Sequence, residues 1–327
     1  MPNPNSILII QLRRIGDVIL TTPAVEALKS AYPQAQIDFL AERPAAEALE
    51  GNPHLREVLI YEAGSLSLGL SWMSRIRSRG YDWVIDYMGN PRTALLTALS
   101  GAMLKAGPGH VFHRWAYNRR WLQSAQTQYS AREKVLALRS LGVSREGEAL
   151  PRLYFGLGGR PENLMGLIPS SRRKTRRWPA RSFVELGREL ARRHGCGILV
   201  FWGPGERELA QSVAAGIGPA AQISPATPTL KALAEQIARC RLIVSNCNGP
   251  KHIAVALGIP TVTIHGSSDP KAWTPPHPSH RSVRKEELHC IGCRLNECPY
   301  DLECMNGLEP RRVLEAVSSL PAERVGS

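Results

Sequence analysis

The sequence predicts an α/β protein built from two doubly wound parallel-sheet domains facing across a cleft. Three observations carry that expectation. Short runs rich in isoleucine, leucine and valine lack polar alternation and read as strands buried on both faces, as in parallel sheets. These runs alternate with stretches of helical periodicity, the rhythm of βα units. The rhythm also occurs twice, on either side of the Gly/Pro-rich, weakly periodic "SREGEALPRLYFGLGGRPENLMG". A chain of 327 residues is too long for one typical domain and comfortable for two. The expected division is 1–155 and 156–327, with the last helix able to pack back on the first domain.

In the first half, "ILIIQL" is a strand, and Thr22 and Pro23 supply the N-cap and first residue of a helix through "PAVEALKSAYP". "AQIDFLA", "REVLIYE" and "YDWVIDYM" read as further strands. Helices are expected over 44–50, in "LSLGLSWMSRIRSRG" and in "RTALLTALSG". In the second half, "NLMGLIPSS" is a strand ending in two hydroxyl residues, followed by the amphipathic helix "PARSFVELGRELARRHG". "CGILVFWG", "RLIVSN" and "TVTIHG" are strands; "ERELAQSVAAG", "LKALAEQIARC", "KHIAVALG" and the final "EPRRVLEAVSSL" are helices.

Formal net charge is +13, from 41 Lys plus Arg against 28 Asp plus Glu. Such a surplus suits a polyanionic partner: nucleic acid, an anionic membrane surface or a phosphorylated substrate. Aromatic residues are only 6% of the chain, which argues against a stacking platform for single-stranded nucleic acid. No apolar run reaches the ~18 residues of a membrane span, and "MPNPNS" lacks the regions of a signal peptide. A cytoplasmic protein is expected.

Several stretches carry candidate chemistry. Arg13, Arg14, Gly16 and Asp17 follow the first strand at its carboxyl end, where open α/β sheets bind ligands. Asp17 is either a turn or cap residue or a general base for a substrate hydroxyl, with Arg13 and Arg14 keeping it ionised and holding anionic groups. In "SNCNGPKHIAVALGIP", a strand breaks at Asn248, Gly249 and Pro250 and a helix starts at once, placing Lys251 and His252 in its first turn. Amides at such a start form an anion site; an ordinary βα turn is the bland alternative. "PSSRRKTRRWPARSF" sets Ser170 and Ser171 beside Arg176 and four other cations, a composition that suits a diphosphate or a solvated loop. Glu206, inside the Gly-x-Gly turn of "FWGPGERELA", either accepts from ribose hydroxyls or favours a helix start. Of seven cysteines, Cys290, Cys293, Cys298 and Cys304 cluster at irregular spacing. They read as reduced thiols packing a small cap, with a structural zinc as the alternative.

Together these stretches resemble glycosyltransferase family 9, whose best-known members are ADP-heptose:lipopolysaccharide heptosyltransferases. "RRIGDVILTTPAVEALKSAYP" is similar to the family's Arg-x-x-Gly-Asp-x-x-x-Thr-x-Pro opening, and "YDWVIDYMGNPRTALLTALSGA" to its second signature. "RRWPARSFVELGREL" resembles its Lys/Arg-x-Trp-Pro segment, "NGPKHIAVALGIPTVTIHGSSDPKAW" its donor motif, and the cysteine-rich end its tail. The resemblance implies a GT-B fold and an inverting, metal-independent transfer from a nucleoside-diphosphate sugar, heptose foremost, to a lipopolysaccharide-core or related envelope glycan. It makes Asp17 the general base. Ser170, Ser171, Arg176, Asn248, Gly249, Pro250, Lys251 and His252 become donor-binding, with Glu206 on the ribose. Arg13 and Arg14 become acceptor-binding; Asp86 and Arg92 match cleft positions of the first domain, where the resemblance allows an acceptor-binding role or, equally, a structural one. No cofactor, no nucleic acid and no stable protein partner are expected; the partners are the nucleotide-sugar and an anionic glycolipid at the inner face of the cytoplasmic membrane. One departure stands out: the family's Asp-Ser/Thr-Gly-Pro-Met-His loop here has Cys247 for the aspartate and Lys251 for the methionine. A cysteine cannot accept sugar hydroxyls as a carboxylate does. The alternatives are a same-fold nucleotide-sugar epimerase or hydrolase, or a non-catalytic anion-binding module. An NAD dehydrogenase is disfavoured because no Gly-x-Gly-x-x-Gly follows the first strand.

Overall fold

The computed structural model describes residues 3–321 apart from 63 and 65. Its contacts divide the chain into two units, 1–156 and 157–327. In the first, β1 (Ser6–Ile10), β2 (Gln36–Ala41), β3 (Glu57–Ile60), β4 (Trp83–Asp86), β5 (Leu104–Pro108) and β6 (Arg119–Trp121) form one sheet, order β3-β2-β1-β4-β5-β6. Every pairing is parallel. The helices are α1 (Ile15–Ile19), α2 (Thr22–Ala31), α3 (Leu66–Ser78), α4 (Pro91–Leu99) and α5 (Ser130–Ala137). Ile7 through Ile10 are fully buried, as a central strand covered on both faces must be. Leu8 and Ile10 join Leu40, Val84, Trp72 and Leu96 in the core of this unit.

The second unit repeats the plan. Strands β7 (Leu164–Ile168), β8 (Gly197–Val200), β9 (Ala221–Ile223), β10 (Leu242–Asn246), β11 (Thr261–Ile264) and β12 (His280–Val283) run in the order β12-β11-β10-β7-β8-β9, all parallel. The helices are α6 (Ala180–His194), α7 (Arg207–Ile217), α8 (Leu230–Ala238), α9 (Pro250–Ala256), α10 (Pro270–Trp273), α11 (Glu303–Asn306) and α12 (Pro310–Ser318). In each sheet the order reverses beside its first strand, between β1 and β4 and between β7 and β10. The loops leaving those four strands are where a doubly wound sheet binds ligands.

Three local expectations are corrected. Residues 44–50 form a single 3-10 turn, Ala45–Leu49, rather than a helix. The cap of α2 is Thr21, one residue earlier than expected, while the Thr22 hydroxyl donates to the Ile19 carbonyl at 2.8 Å. A short helix, α1, intervenes between the first strand and α2. The last helix buries Val313, Leu314 and Val317 and packs on α6, β11 and β12 of its own unit. The sheet-edge strands β6, β9 and β12 and the Gly-Pro-containing β5 went unread because three to five residues carry too little periodicity. Among the described residues no helix is long and apolar enough to cross a membrane.

Candidate active site

The first unit's site grows from the end of β1. Gln11 is buried, and its side-chain amide donates to the Arg13 carbonyl at 2.7 Å. Arg13 and Arg14 are exposed, and α1 begins directly after them. Asp17, half-buried, is the third residue of α1, and its Oδ2 accepts the Arg14 backbone N–H at 3.2 Å. Its Oδ1 has no hydrogen-bond partner among the described residues, so the carboxylate both caps the turn and keeps a free basic oxygen.

Lys134, on α5, is a functional candidate the sequence did not reveal. Its Nζ donates to Gln11 Oε1 at 2.7 Å and lies 4.7 Å from the centre of the Tyr87 ring. Burial pushes the ammonium down to about 8, against the upward pull of the Asp17 and Asp86 carboxylates. The chain of contacts from Lys134 through Gln11 to the Arg13 carbonyl holds the segment that presents Asp17. Within "SAREKVLALRS" nothing distinguishes this lysine from a solvated helix cation; only the fold brings it under β1. In the general-base role that the sequence motifs imply for Asp17, Lys134→Met is expected to lower kcat by up to about 10²-fold through misplacement of Asp17. The native chain should lose kcat as pH rises through about 8, and the variant should lose less, keeping only the part that Lys251 contributes.

Asp86, open to an acceptor-binding or a structural role, makes structural contacts. It is fully buried. Oδ1 accepts from the Met88 and Gly89 amides at 2.9 and 3.0 Å, and Oδ2 accepts from the Tyr117 hydroxyl at 2.8 Å. Burial raises its pKa, opposed by these donors. The Tyr117 ring lies so close over Gly107 that any side chain there would collide with it, so a glycine in β5 is what lets the tyrosine reach Asp86. Asp86→Asn leaves this donor-rich pocket with one good acceptor, and a loss of about 1–3 kcal/mol in stability is expected. Urea unfolding measures it, with donor affinity unchanged. Arg92 is exposed on α4, 3.6 Å from Glu42 and 5.7 Å over the Tyr61 ring.

The second unit's site gathers at the ends of β7, β8 and β10. Ser170 and Ser171 lie just past β7 and are buried. Asn248 ties the two central loops together: its Nδ2 donates to the Ser170 carbonyl at 3.0 Å, and its Oδ1 accepts the Lys251 amide at 3.2 Å. Beneath it, Asn246 bridges Pro169 and Trp178. The expected amide cradle over 249–252 is therefore corrected. Pro250 has no N–H, the Lys251 amide serves Asn248, and the His252 amide donates to the Gly249 carbonyl at 3.0 Å. The amides of Asn248 and Gly249 are those left unengaged within this loop.

Charge is the stronger feature of this site. Lys251 is fully buried, its ammonium donating to the Trp273 carbonyl. Burial holds it down to about 8, with Cys247 pulling it up and Arg176 pushing it further down. Burial keeps His252 well below its ordinary range, and Lys251 adds to the effect. His265, which sequence reasoning missed, sits just past β11 with its ring nitrogens bonded to Ser268 and Thr274 at 2.9 and 3.0 Å. Burial likewise depresses it, reinforced by Lys251, Arg176 and Arg284. Positive charges are thus concentrated where two strands end, close enough to oppose one another's protonation. An anion entering here would relieve that repulsion. Glu206 stands at the N-terminal boundary of α7 without a side-chain cap bond to it; its Oε2 accepts the Gly203 amide in the preceding turn at 3.0 Å. Of the clustered cysteines, Cys304 is buried, Cys290 and Cys298 half-buried and Cys293 exposed, all as thiols. Burial and its three neighbours push the Cys304 thiol up to about 11. Among the described residues no three His, Cys, Asp or Glu side chains are grouped so as to hold a metal.

Residues 70–303 match the family described as glycosyltransferase family 9 (heptosyltransferase). The chain belongs to that family. Lipopolysaccharide heptosyltransferase 1 of Pseudomonas aeruginosa is 26% identical to the family 9 chain over 96% of its length and 98% of the relative's. Lipopolysaccharide heptosyltransferase 2 of Salmonella typhimurium is 25% identical, covering 97% and 99%. A family 9 glycosyl transferase from Veillonella parvula superposes with a TM-score of 0.81 at 23% identity over 96% of both chains. The Escherichia coli heptosyltransferase WaaC, solved with ADP-2-deoxy-2-fluoro heptose, gives 0.77 at 23% identity, covering 96% and 99%. The family 9 chain is thus a glycosyltransferase with two doubly wound units of the GT-B fold, as its sequence motifs imply.

Proposed function

We propose that the chain transfers heptose from ADP-heptose to a sugar hydroxyl of a lipopolysaccharide core, with inversion. The carrying observation is the cation cluster of Arg176 and Lys251 at the ends of β7 and β10, with His252 and His265 held neutral beside it. Relatives named lipopolysaccharide heptosyltransferases align with nearly the whole chain, which supports the choice of donor and acceptor.

In this reading the acceptor oxygen attacks the anomeric carbon from the face opposite the leaving group. The new C–O bond forms as the bond to the diphosphate breaks, Asp17 Oδ1 takes the hydroxyl proton, and ADP departs with the electron pair. Arg176, Lys251 and the Asn248 and Gly249 amides stabilise the charge developing on the diphosphate. Glu206 accepts from the ribose. Ser170, Ser171 and His252 close around the phosphates, and Arg13, Arg14 and Arg92 face acceptor phosphates. Cys247 leaves sugar recognition to other groups. The work is assigned to the inner face of the cytoplasmic membrane.

The test is to incubate the purified chain with ADP-heptose and a truncated lipopolysaccharide core. ADP release that requires acceptor, with a product heavier by one heptose, is expected. Release without acceptor would replace this reading with an epimerase or hydrolase. Tight donor binding with no turnover on any envelope acceptor would make the chain a binding module.

A further inference from the structure

At the β5–β6 edge of the first unit, large apolar side chains stand in solvent. Phe112 is 89% exposed, Trp115 60% and Leu122 80%. Phe112 and Trp115 lie three residues apart in the short turn Phe112–Ala116, which is kinked at His113. Leu122 follows β6 and its side chain folds over Gly109, at the approach to the same turn. Helix α4 packs against this turn and exposes Leu95 and Leu99, four residues apart. Single exposed apolar residues are ordinary; a group of this size on one edge marks an interaction site.

Its charge identifies the partner. No Asp or Glu stands between Asp86 and Glu133. Arg114, Arg119 and Arg120 are exposed, and none has a carboxylate partner among the described residues; Arg119 and Arg120 reach backbone carbonyls alone. Aromatic rings beside unpaired arginines match the two layers of a lipid interface, rings at headgroup depth and guanidinium groups on phosphates. The stretch 87–132, without acidic residues, suits a uniformly anionic plane better than a protein face of mixed sign.

We propose that this edge docks on an anionic phospholipid bilayer, with Phe112, Trp115 and Leu122 entering the interface while Arg114, Arg119 and Arg120 meet lipid phosphates. The surface lies outside the residues assigned to chemistry; it deepens the inner-face assignment of the proposed function, and vesicle partition is read separately from sugar transfer.

Co-sedimentation of the full chain with vesicles is the test, comparing phosphatidylcholine alone with phosphatidylcholine plus phosphatidylglycerol at low and high salt. Strong partition to the anionic vesicles, weak partition to the neutral ones and release by salt are expected. Arg114→Gln and Arg119→Gln should each lower the partition coefficient roughly five-fold. Combining Phe112→Ser, Trp115→Ser and Leu122→Ser should lower it by about ten-fold or more, with turnover on a soluble acceptor fragment unchanged. Should the triple variant not fold, the arginine variants and the native salt series decide. Equal binding to both vesicle types, no binding at low salt, or unchanged partition in folded variants would overturn the proposal. So would self-association through this edge without vesicle binding.

Discussion

Asp17→Asn is expected to lower kcat by about 10²–10⁴-fold while leaving ADP-heptose affinity and thermal stability unchanged. Asparagine keeps the side-chain shape, and its carbonyl oxygen can still accept the Arg14 amide that Asp17 accepts at 3.2 Å. Helix α1 therefore survives the substitution. What is lost is the second basic oxygen, the one with no partner inside the described fold. The groups proposed to hold the donor all come from the second unit, so donor affinity should not move. Steady-state kinetics, donor calorimetry and a melting curve separate the possible outcomes. Turnover near the native value would end the base assignment. A joint fall of turnover and melting temperature would reduce Asp17 to a cap.

The second large effect concerns Lys251, where stability and binding should move in opposite directions. Burial costs this lysine part of its affinity for the proton: folded it titrates at about 8, against an ordinary value of 10.5. Between those two values the unfolded chain binds the extra proton, so this group makes stability rise with pH across that window. Below pH 8 the full cost of a buried cation is present. Lys251→Met removes that cost but leaves the Trp273 carbonyl without its donor. A net gain on the order of 2 kcal/mol at neutral pH is expected, visible as a higher melting temperature. The alkaline rise in stability should shrink, with Lys134 supplying what remains.

Donor binding should suffer in the same variant. Loss of one full charge from a phosphate site, at an effective permittivity near 20, costs on the order of 2 kcal/mol. ADP affinity should therefore fall roughly 30-fold. In the native chain, ADP should bind more weakly as pH rises through about 8, and binding near that pH should take up a proton. Calorimetry in two buffers of different ionisation enthalpy measures both. Unchanged ADP affinity in the methionine variant would remove Lys251 from the donor site.

Much of the site is legible in the sequence, for a local reason. Asp17, Ser170, Arg176 and Asn248 each follow an apolar run within a few residues, so polar chemistry beside a buried strand marks the end where ligands bind. Glu206 is legible in the same way, inside the turn after β8. Asp86 shows the limit of this inference. It too ends a strand, but whether a carboxylate there faces solvent or is enclosed depends on Tyr117, reached across β5 and admitted by Gly107. Lys134 and His265 lie outside every local signal, because what matters about them is their neighbours in space.

The sequence by itself determined the class of fold, its two-part organisation, the family and the stretches that carry chemistry. These follow from periodicity, from caps and turns, and from residue types at short spacing, all of which act over a few residues. The tertiary structure alone decided which expected ligands are already engaged, as with Asp86 and the amides of Lys251 and His252. It also set the protonation of Lys134 and Lys251 and gathered Phe112, Trp115 and Leu122 at one sheet edge. Burial, hydrogen-bond satisfaction and charge–charge repulsion depend on distances between residues remote in the chain, and those distances exist only once the sheets have formed.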